Sequence, residues 1–144
     1  MAKLIFGMTM SLDGYVEGPD GSTDGLYPDL AELRPTAYMN EMIAETMPRQ
    51  DDRLTFTFVT DGVETAVDRA KEAAGDRAVT AIGGVDLGRQ LLALGLVDKL
   101  RVDVMPVLLG GGKRLFDGVA PARLTKRAVG EVGSRTALRF GFAT

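Results

Sequence analysis

The stretch at residues 78–92, AVTAIGGVDLGRQLL, limits the folds open to this chain more than any other. A short apolar run precedes Gly83 and Gly84, and apolar residues at helical spacing follow them, which predicts a strand, a tight turn and a helix. Adjacent glycines let backbone N–H groups approach a ligand closely, and a helix N-terminus carries partial positive charge. The turn therefore suits a phosphate or pyrophosphate, although a plain β-to-α connection explains the same residues equally well.

The segments around this turn predict an α/β fold. Residues 3–10 are apolar on both alternating sets, which indicates a central strand covered on both faces. The helix after the glycine pair is expected to start at Asp86 as its N-cap and to stop at Gly95, with Leu96 making the contact that accompanies such an end. The other predicted elements are a helix over residues 36–47, a strand over 54–59, a helix over 63–74 ended by Gly75, a strand over 99–107, and an antiparallel hairpin of 124–132 with 136–142.

Composition removes several kinds of chemistry at once. The 144 residues include no Cys and no His, which excludes thiolate nucleophiles, imidazole bases and nearly every zinc site. The net charge of −3, with Lys and Arg scattered among acids, disfavours nucleic-acid binding. No run has the length of a signal peptide or a membrane span. We therefore expect one domain over residues 1–144, in the cytoplasm, with a small-molecule partner and neither nucleic acid nor membrane.

Asp13 follows the first predicted strand and opens a glycine-rich loop over residues 11–21. Open α/β sheets bind ligands at the carboxyl ends of their strands, so this position suits a binding residue. Asp13 and Gly14 also form an ordinary turn pair, and the residues alone leave both interpretations open. A second glycine-rich loop, residues 110–114, offers backbone N–H groups with two cations and could hold an anion.

Three segments resemble one family. They are MSLDGY at residues 10–15, IGGVD at 82–86, and the long run GLVDKLRVDVMPVLLGGGKRLF at 95–116. Together they are similar to the dihydrofolate-reductase-like fold, specifically the C-terminal domains of riboflavin-biosynthesis reductases. The resemblance implies a three-layer α/β domain with a mostly parallel central sheet, helices on both faces and an antiparallel C-terminal hairpin.

The same resemblance implies a reductase that moves a hydride from NADPH to a flat, nitrogen-rich ring or another conjugated group. By this resemblance, Gly83 and Gly84 would form the turn against the nicotinamide and pyrophosphate, with either a trans or a cis peptide between them. Val85, Asp86 and Leu87 would offer the N–H groups of the helix N-terminus. Asp13 would hydrogen-bond the amino or imide edge of the substrate and help to deliver a proton. Such chemistry fits a chain without His or Cys, because the cofactor supplies the reactive group.

The chain departs from the family pattern over residues 35–53. The family has a further strand and a Gly-Arg element that grips the adenosine-side phosphate, and these residues contain no Gly-Arg pair and are too few to hold both. Arg49, Arg53 and Lys113 are the alternative cations. A sheet shortened by about one strand would expose an edge, which predicts a homodimer. Two other functions stay open: a non-catalytic dimeric relative that has lost full cofactor binding, and an anion-binding module at residues 110–114.

Overall fold

The central strand predicted near the N-terminus is present and lies inside a five-stranded sheet. The computed structural model describes residues 2–29, 55–82 and 84–143, and in it β1 (Leu4–Ser11) pairs with a parallel strand on each side. The remaining elements follow in chain order: β2 (Tyr15–Glu17), a 3-10 helix (Asp24–Leu26), α1 (Val63–Ala74), β3 (Val79–Ala81), α2 (Val85–Ala93), β4 (Lys99–Met105), β5 (Lys113–Arg114), β6 (Leu124–Val132) and β7 (Arg135–Phe142).

The main sheet has the strand order β3-β1-β4-β7-β6, and β2 pairs with β5 in a separate two-stranded sheet. Strands β3, β1 and β4 are parallel, β7 is antiparallel to β4, and β6 is antiparallel to β7. Only β7 therefore runs against the direction of the other main-sheet strands. The predicted mostly parallel α/β sheet with an antiparallel C-terminal hairpin is confirmed.

One face of β1 packs against both described helices. Phe6 is fully buried beneath α2, so close to Gly88 that a Cβ on that glycine would overlap the phenyl ring. The buried apolar cluster on this face also takes residues from β1, α1, α2 and β4, namely Leu4, Val67, Val85, Leu91, Leu100 and Val102. The close packing of α2 on the sheet therefore requires glycine at position 88, because any side chain there would overlap Phe6.

Two of the three predicted helices lie in the described residues, and both form with C-terminal ends that agree with the prediction. α1 is followed by Gly75, and α2 by Gly95 with φ of +66°, a conformation that costs a residue with a Cβ but not glycine. The Leu96 N–H then donates to the Leu91 carbonyl at 3.0 Å, the closing hydrogen bond of a Schellman motif. Among the described residues, no helix is long and apolar enough to cross a membrane.

The start of α2 differs from the prediction. Gly84, not Asp86, is the N-cap residue, and it provides no side-chain hydrogen bond to the helix. Val85 is the first helical residue and is buried at the core. Because the helix begins at the buried Val85, directly after Gly84, Asp86 lies in the first turn of the helix and not at the N-cap.

Two other predictions are wrong. Residues 55–59 form no strand, and Phe56 and Phe58 are 80% and 90% exposed, because this alternating segment pairs with none of the described strands. The predicted loops over residues 11–21 and 110–114 contain the short strands β2 and β5, which pair with each other across a long sequence separation. The helix predicted over residues 36–47, the shortened stretch 35–53 and Gly83 lie outside the described residues.

The face of the sheet opposite Phe6 buries a complete ionic cluster around Arg135, which is 1% exposed. Its Nε and Nη2 donate to the two carboxylate oxygens of Asp29 at 3.1 and 2.8 Å, and Nη2 also donates to the Leu26 carbonyl at 3.1 Å. Its Nη1 donates to Thr9 Oγ1 at 2.8 Å and to Asp103 Oδ2 at 3.3 Å. These five hydrogen bonds fix the 3-10 helix and the residues after it against the sheet, and the bond from Arg135 lowers the pKa of Asp29.

Because α2 approaches Phe6 so closely at Gly88, adding one methyl group at position 88 is expected to destabilise the protein. Gly88→Ala is expected to lower the free energy of unfolding by about 1–3 kcal/mol, because the new Cβ overlaps the buried ring. Urea denaturation measures the change. Gly130→Ala is the matched control, since a Cβ there meets no atom within 4 Å. Equal stability of the two variants would contradict the packing described.

The Arg135 cluster predicts a second, larger loss. Arg135→Met leaves the Asp29 carboxylate buried without the guanidinium that pairs with both of its oxygens, and the expected loss in the free energy of unfolding is about 3–5 kcal/mol. Arg135→Lys keeps the charge but not the two-pronged geometry, so its loss should be intermediate. Thermal and urea unfolding, with the exposed Arg123→Met as control, test this order. A change as small in Arg135→Met as in Arg123→Met would refute it.

Candidate functional site

On one side of β1 the neighbouring strand β3 ends several residues before β1 does, and we call this difference in strand length the step. β3 pairs with β1 only from Leu4 to Phe6, whereas β1 continues to Ser11, level with the end of β4 at Met105. Beyond Phe6 this flank of β1 therefore pairs with no described strand for about 16 Å, at roughly 3.3 Å per residue. The chain leaves β3 at the foot of the step and enters α2 through Gly84, while Asp13 follows the top of β1.

Apolar side chains surround this step. Leu12, Ile82 and Leu108, which follow β1, β3 and β4, are 67%, 86% and 69% exposed. Met8 and Met10 on β1 are half-buried and pack against the apolar cluster beneath α2. These three residues are large, apolar and exposed just after three neighbouring strands, which is typical of residues that contact a ligand.

The Asp13 carboxylate is partly exposed and accepts three hydrogen bonds from the protein. Its Oδ1 accepts from the Ser11 hydroxyl and from the Leu109 N–H at 3.2 Å. Its Oδ2 accepts from the Gly110 N–H at 2.9 Å. The side chain thereby ties the turn after β1 to the loop after β4, and its orientation is fixed from three directions.

The buried Ser11 side chain fixes the orientation of the Asp13 carboxylate by a hydrogen bond. The serine is fully buried, and its Oγ accepts the Tyr15 N–H at 3.0 Å while it donates to Asp13 Oδ1. The Leu12 N–H donates to the Val107 carbonyl at 2.9 Å, which connects the same two segments beside this contact. The turn after β1 is thus rigidly attached to the loop after β4.

These contacts keep Asp13 ionised. The hydrogen bond from Ser11 is the main cause that lowers the pKa of Asp13; burial opposes it, and the Gly110 and Leu109 N–H groups each lower the pKa by less than burial raises it. A lowered pKa means that the contacts are retained as the pH falls below the usual range for aspartate, and that they are lost only when the pH falls through the lowered value. At neutral pH Asp13 is therefore a hydrogen-bond acceptor with a negative charge.

The predicted cofactor-binding residues lie at the foot of the step. Gly84 caps α2 without a side chain, so the backbone N–H groups of Val85, Asp86 and Leu87 form an uncapped helix N-terminus. A Cβ on Gly84 would meet no atom within 4 Å, so the space in front of the turn is open. The Asp86 side chain is 78% exposed and lies 4.0 Å from Arg89. Gly83, with the peptide bond that joins it to Gly84, lies outside the described residues.

The second glycine-rich loop, residues 110–114, packs closely against β2. A Cβ on Gly112 would overlap the Glu17 carbonyl, and the Gly110 N–H is already bonded to Asp13. In β5 the Arg114 guanidinium stacks 4.9 Å from the Tyr15 ring centroid and donates to its hydroxyl at 3.1 Å. The N–H groups predicted to receive an anion are therefore partly occupied by the protein itself. Lys113 is exposed on β5.

Two residues important to this region have no clear signal in the sequence. Ser11 lies two positions before an aspartate, a spacing that allows a hydrogen bond but does not reveal that the hydroxyl is buried. Arg135 follows an exposed turn, where an arginine is expected in solvent. Its partners come from three separate segments, so only the folded chain brings them together.

The sheet order, the crossing helices and the antiparallel hairpin define a dihydrofolate-reductase-like fold. A solved putative riboflavin biosynthesis protein from Shewanella sp. PV-4 is similar at a TM-score of 0.65 and 20% identity, and the similarity covers 100% of both chains. A dihydrofolate reductase from Enterococcus faecalis, solved in complex with NADP(H), is similar at a TM-score of 0.58 and 13% identity over 99% of this chain and 97% of that one.

Within that fold the sequence identifies a family. The family model described as the RibD C-terminal domain matches residues 36–138, so this chain belongs to the RibD C-terminal domain family. The uncharacterized protein YyaP of Bacillus subtilis is 24% identical over 152 aligned positions, which cover 79% of this chain and 80% of that protein. The resemblance carried by residues 10–15, 82–86 and 95–116 is therefore confirmed.

The contacts at Asp13 predict a measurable titration. Ser11→Ala removes the main cause of the lowered value, so the pKa of Asp13 should rise toward that of an ordinary aspartate. NMR titration of the Asp13 carboxyl carbon measures the midpoint in the wild-type protein and the variant. Ser134→Ala, the same change in an exposed turn, should leave it unchanged. An unaltered midpoint in Ser11→Ala would contradict this cause.

Proposed function

We propose that this protein is an NADPH-dependent reductase that acts on a small heterocyclic or conjugated substrate. The observation that carries the proposal is the flank of β1 beyond Phe6, which pairs with no described strand and has Gly84 at its foot and the ionised Asp13 at its top. An uncapped helix N-terminus and an acidic hydrogen-bond acceptor lie at opposite ends of one apolar step. Relatives named for riboflavin biosynthesis and dihydrofolate reduction support a nitrogen-rich ring as the substrate.

The residues at the foot of the step fit the phosphate and nicotinamide side of NADPH. The N–H groups of Val85, Asp86 and Leu87 are directed out of the α2 N-terminus, where a phosphate is favoured, and Gly84 leaves room for the backbone to be approached. The acidic Asp86 opposes an anion, but its exposed side chain is screened by solvent. On the adenosine side Lys113 is a candidate, and Arg49 and Arg53 lie outside the described residues.

The chain's own residues then orient the reactants. NADPH, when bound, supplies the hydride. Leu12 and Leu108, whose segments are joined by the hydrogen bond from the Leu12 N–H to the Val107 carbonyl, offer exposed apolar contacts to a ring near Asp13. Asp13 accepts a hydrogen bond from a ring N–H, and its negative charge raises the pKa of a neighbouring ring nitrogen, which favours the protonated C=N group as hydride acceptor. Asp13 is in this sense the proposed catalytic residue, acting as an ionised partner and not as the proton donor.

One observation favours the alternative, a non-catalytic dimeric relative that binds a ligand or serves as a scaffold. Asp13 already accepts three protein hydrogen bonds that join two loops, which is sufficient reason for an aspartate at this position without any chemistry. Residues 35–53 also lack the family's Gly-Arg pair. In this alternative the fold is kept and the affinity for NADPH is lost.

We further propose a homodimer. β3 has three residues and pairs with β1 alone among the described strands, so its outer edge offers unpaired backbone groups. Such an edge is commonly covered by a second chain or by another segment. Sedimentation equilibrium measures the mass directly, and a monomer at micromolar concentration would oppose the proposal. The cytoplasmic localisation stays a prediction.

Binding of NADPH tests the reductase proposal, and Gly84 provides the informative variant. The chain contains no Trp, so the fluorescence of NADPH can be followed without a tryptophan background. We expect saturable enhancement with the wild-type protein. Gly84→Val should weaken binding at least about tenfold, because the new side chain occupies the open space in front of the turn. The backbone angles φ of −73° and ψ of 177° suit valine, so the variant should fold with only the modest loss of stability expected for valine at a helix N-cap, which urea denaturation measures.

Gly130→Val on β6 is the matched control, because its Cβ is also unobstructed but lies on the edge strand remote from β1. It should bind NADPH as the wild-type protein does. Absence of wild-type binding at high micromolar NADPH would favour the non-catalytic alternative. Equal affinity in Gly84→Val and wild-type protein would exclude the proposed approach of the cofactor to this turn.

A further inference from the structure

The acceptor positions of Asp13 limit what the site can recognise. A carboxylate offers about two acceptor positions on each oxygen. Both positions on Oδ1 are occupied, by the Ser11 hydroxyl and the Leu109 N–H, and one on Oδ2 is occupied by the Gly110 N–H. Among the described residues, no other residue donates to Oδ2, so one of its positions is available to a ligand.

The occupied positions are not readily released. Ser11 is fully buried, and its Oγ accepts the Tyr15 N–H, so its own hydrogen has no exchange partner in solvent and stays on Asp13. The Leu109 and Gly110 N–H groups are held in place by the backbone bond from Leu12 to Val107. Freeing Oδ1 would require both the turn after β1 and the loop after β4 to move.

We propose that Asp13 recognises its ligand through one hydrogen bond to Oδ2, so that the substrates are flat heterocycles with a single N–H donor at this point and not a paired N–H edge. A paired edge, such as a ring N–H beside an amino group, needs one free acceptor position on each carboxylate oxygen. Ser11 is the specificity-determining residue, because its hydroxyl occupies the position on Oδ1 that the second donor would use. This inference rests on the proposed function, since it names the substrate class of the same site.

Two isomeric probes of equal size and charge distinguish recognition of a single N–H donor from recognition of a paired N–H edge. In 2-aminopyridinium the ring N–H and the amino N–H point the same way, whereas in 4-aminopyridinium they lie at opposite ends of the ring. Both are titrated at mildly acidic pH into the ¹⁵N-labelled protein, with the Leu109 and Gly110 amide signals as local reporters. We expect the wild-type protein to bind the 4-isomer at least as tightly as the 2-isomer.

Ser11→Ala frees one acceptor position on Oδ1 and should improve the binding of the 2-isomer relative to the 4-isomer by about tenfold, the effect of one added charge-assisted hydrogen bond. Ser134→Ala, in the exposed turn between β6 and β7, should keep the wild-type ratio. A wild-type preference for the 2-isomer of about tenfold or more would overturn the proposal, whether or not Ser11→Ala folds. So would an unchanged ratio in folded Ser11→Ala, or the absence of any probe-dependent shift at Leu109 and Gly110.

The same titrations distinguish this inference from the proposed function. They are made without NADPH and report only on the end of the step near Asp13. If the isomers follow the expected order while NADPH does not bind, the reductase proposal fails and the substrate class stands. If NADPH binds and the order is reversed, the reductase proposal stands and the single-donor recognition is refuted.

Discussion

The structure depends on a mismatch in length between two neighbouring strands. β1 is paired along its whole length with β4 but only along its first part with β3. β4 covers one side of β1 throughout, whereas beyond Phe6 no described strand pairs with the other side of β1. The turn at Gly84 enters α2 on that side of β1, and α2 is held there by the close packing of Gly88 on Phe6. The candidate site is thus a direct result of where one short strand ends.

Two acidic groups near the carboxyl end of β1 serve different purposes because their burial differs. Asp29 is buried and gives both oxygens to Arg135, so it contributes to stability and is not available to a ligand. Asp13 is partly exposed, and its three protein hydrogen bonds leave one acceptor position open. Both are aspartates in glycine-rich or proline-containing segments, and the difference lies in burial, since Asp29 is buried against Arg135 whereas Asp13 is partly exposed.

Local patterns predicted those elements whose stabilising contacts are also local. The two helices end at Gly75 and Gly95 as expected, since a helix end depends on the residues next to it. The interior position of β1 follows from apolar residues on both of its faces. The predicted strand over residues 54–59 was wrong in its described part, because alternation indicates a strand only where a neighbour is available for pairing. β2 and β5 were missed since each is too short to show a period and exists only through the other.

The sequence by itself determined which side-chain chemistry is excluded and which segments indicate the family. The absence of His and Cys left carboxylates, cations, backbone groups and a cofactor, and the motifs around Asp13 and Gly84 indicated the family. Only the tertiary structure decided how these groups are used. The hydrogen bonds of Asp13 to Leu109 and Gly110, like those of Arg135 to Asp29 and Thr9, join residues about a hundred positions apart. Such contacts form only when the sheet is assembled, because no local pattern records which distant donor will meet which acceptor.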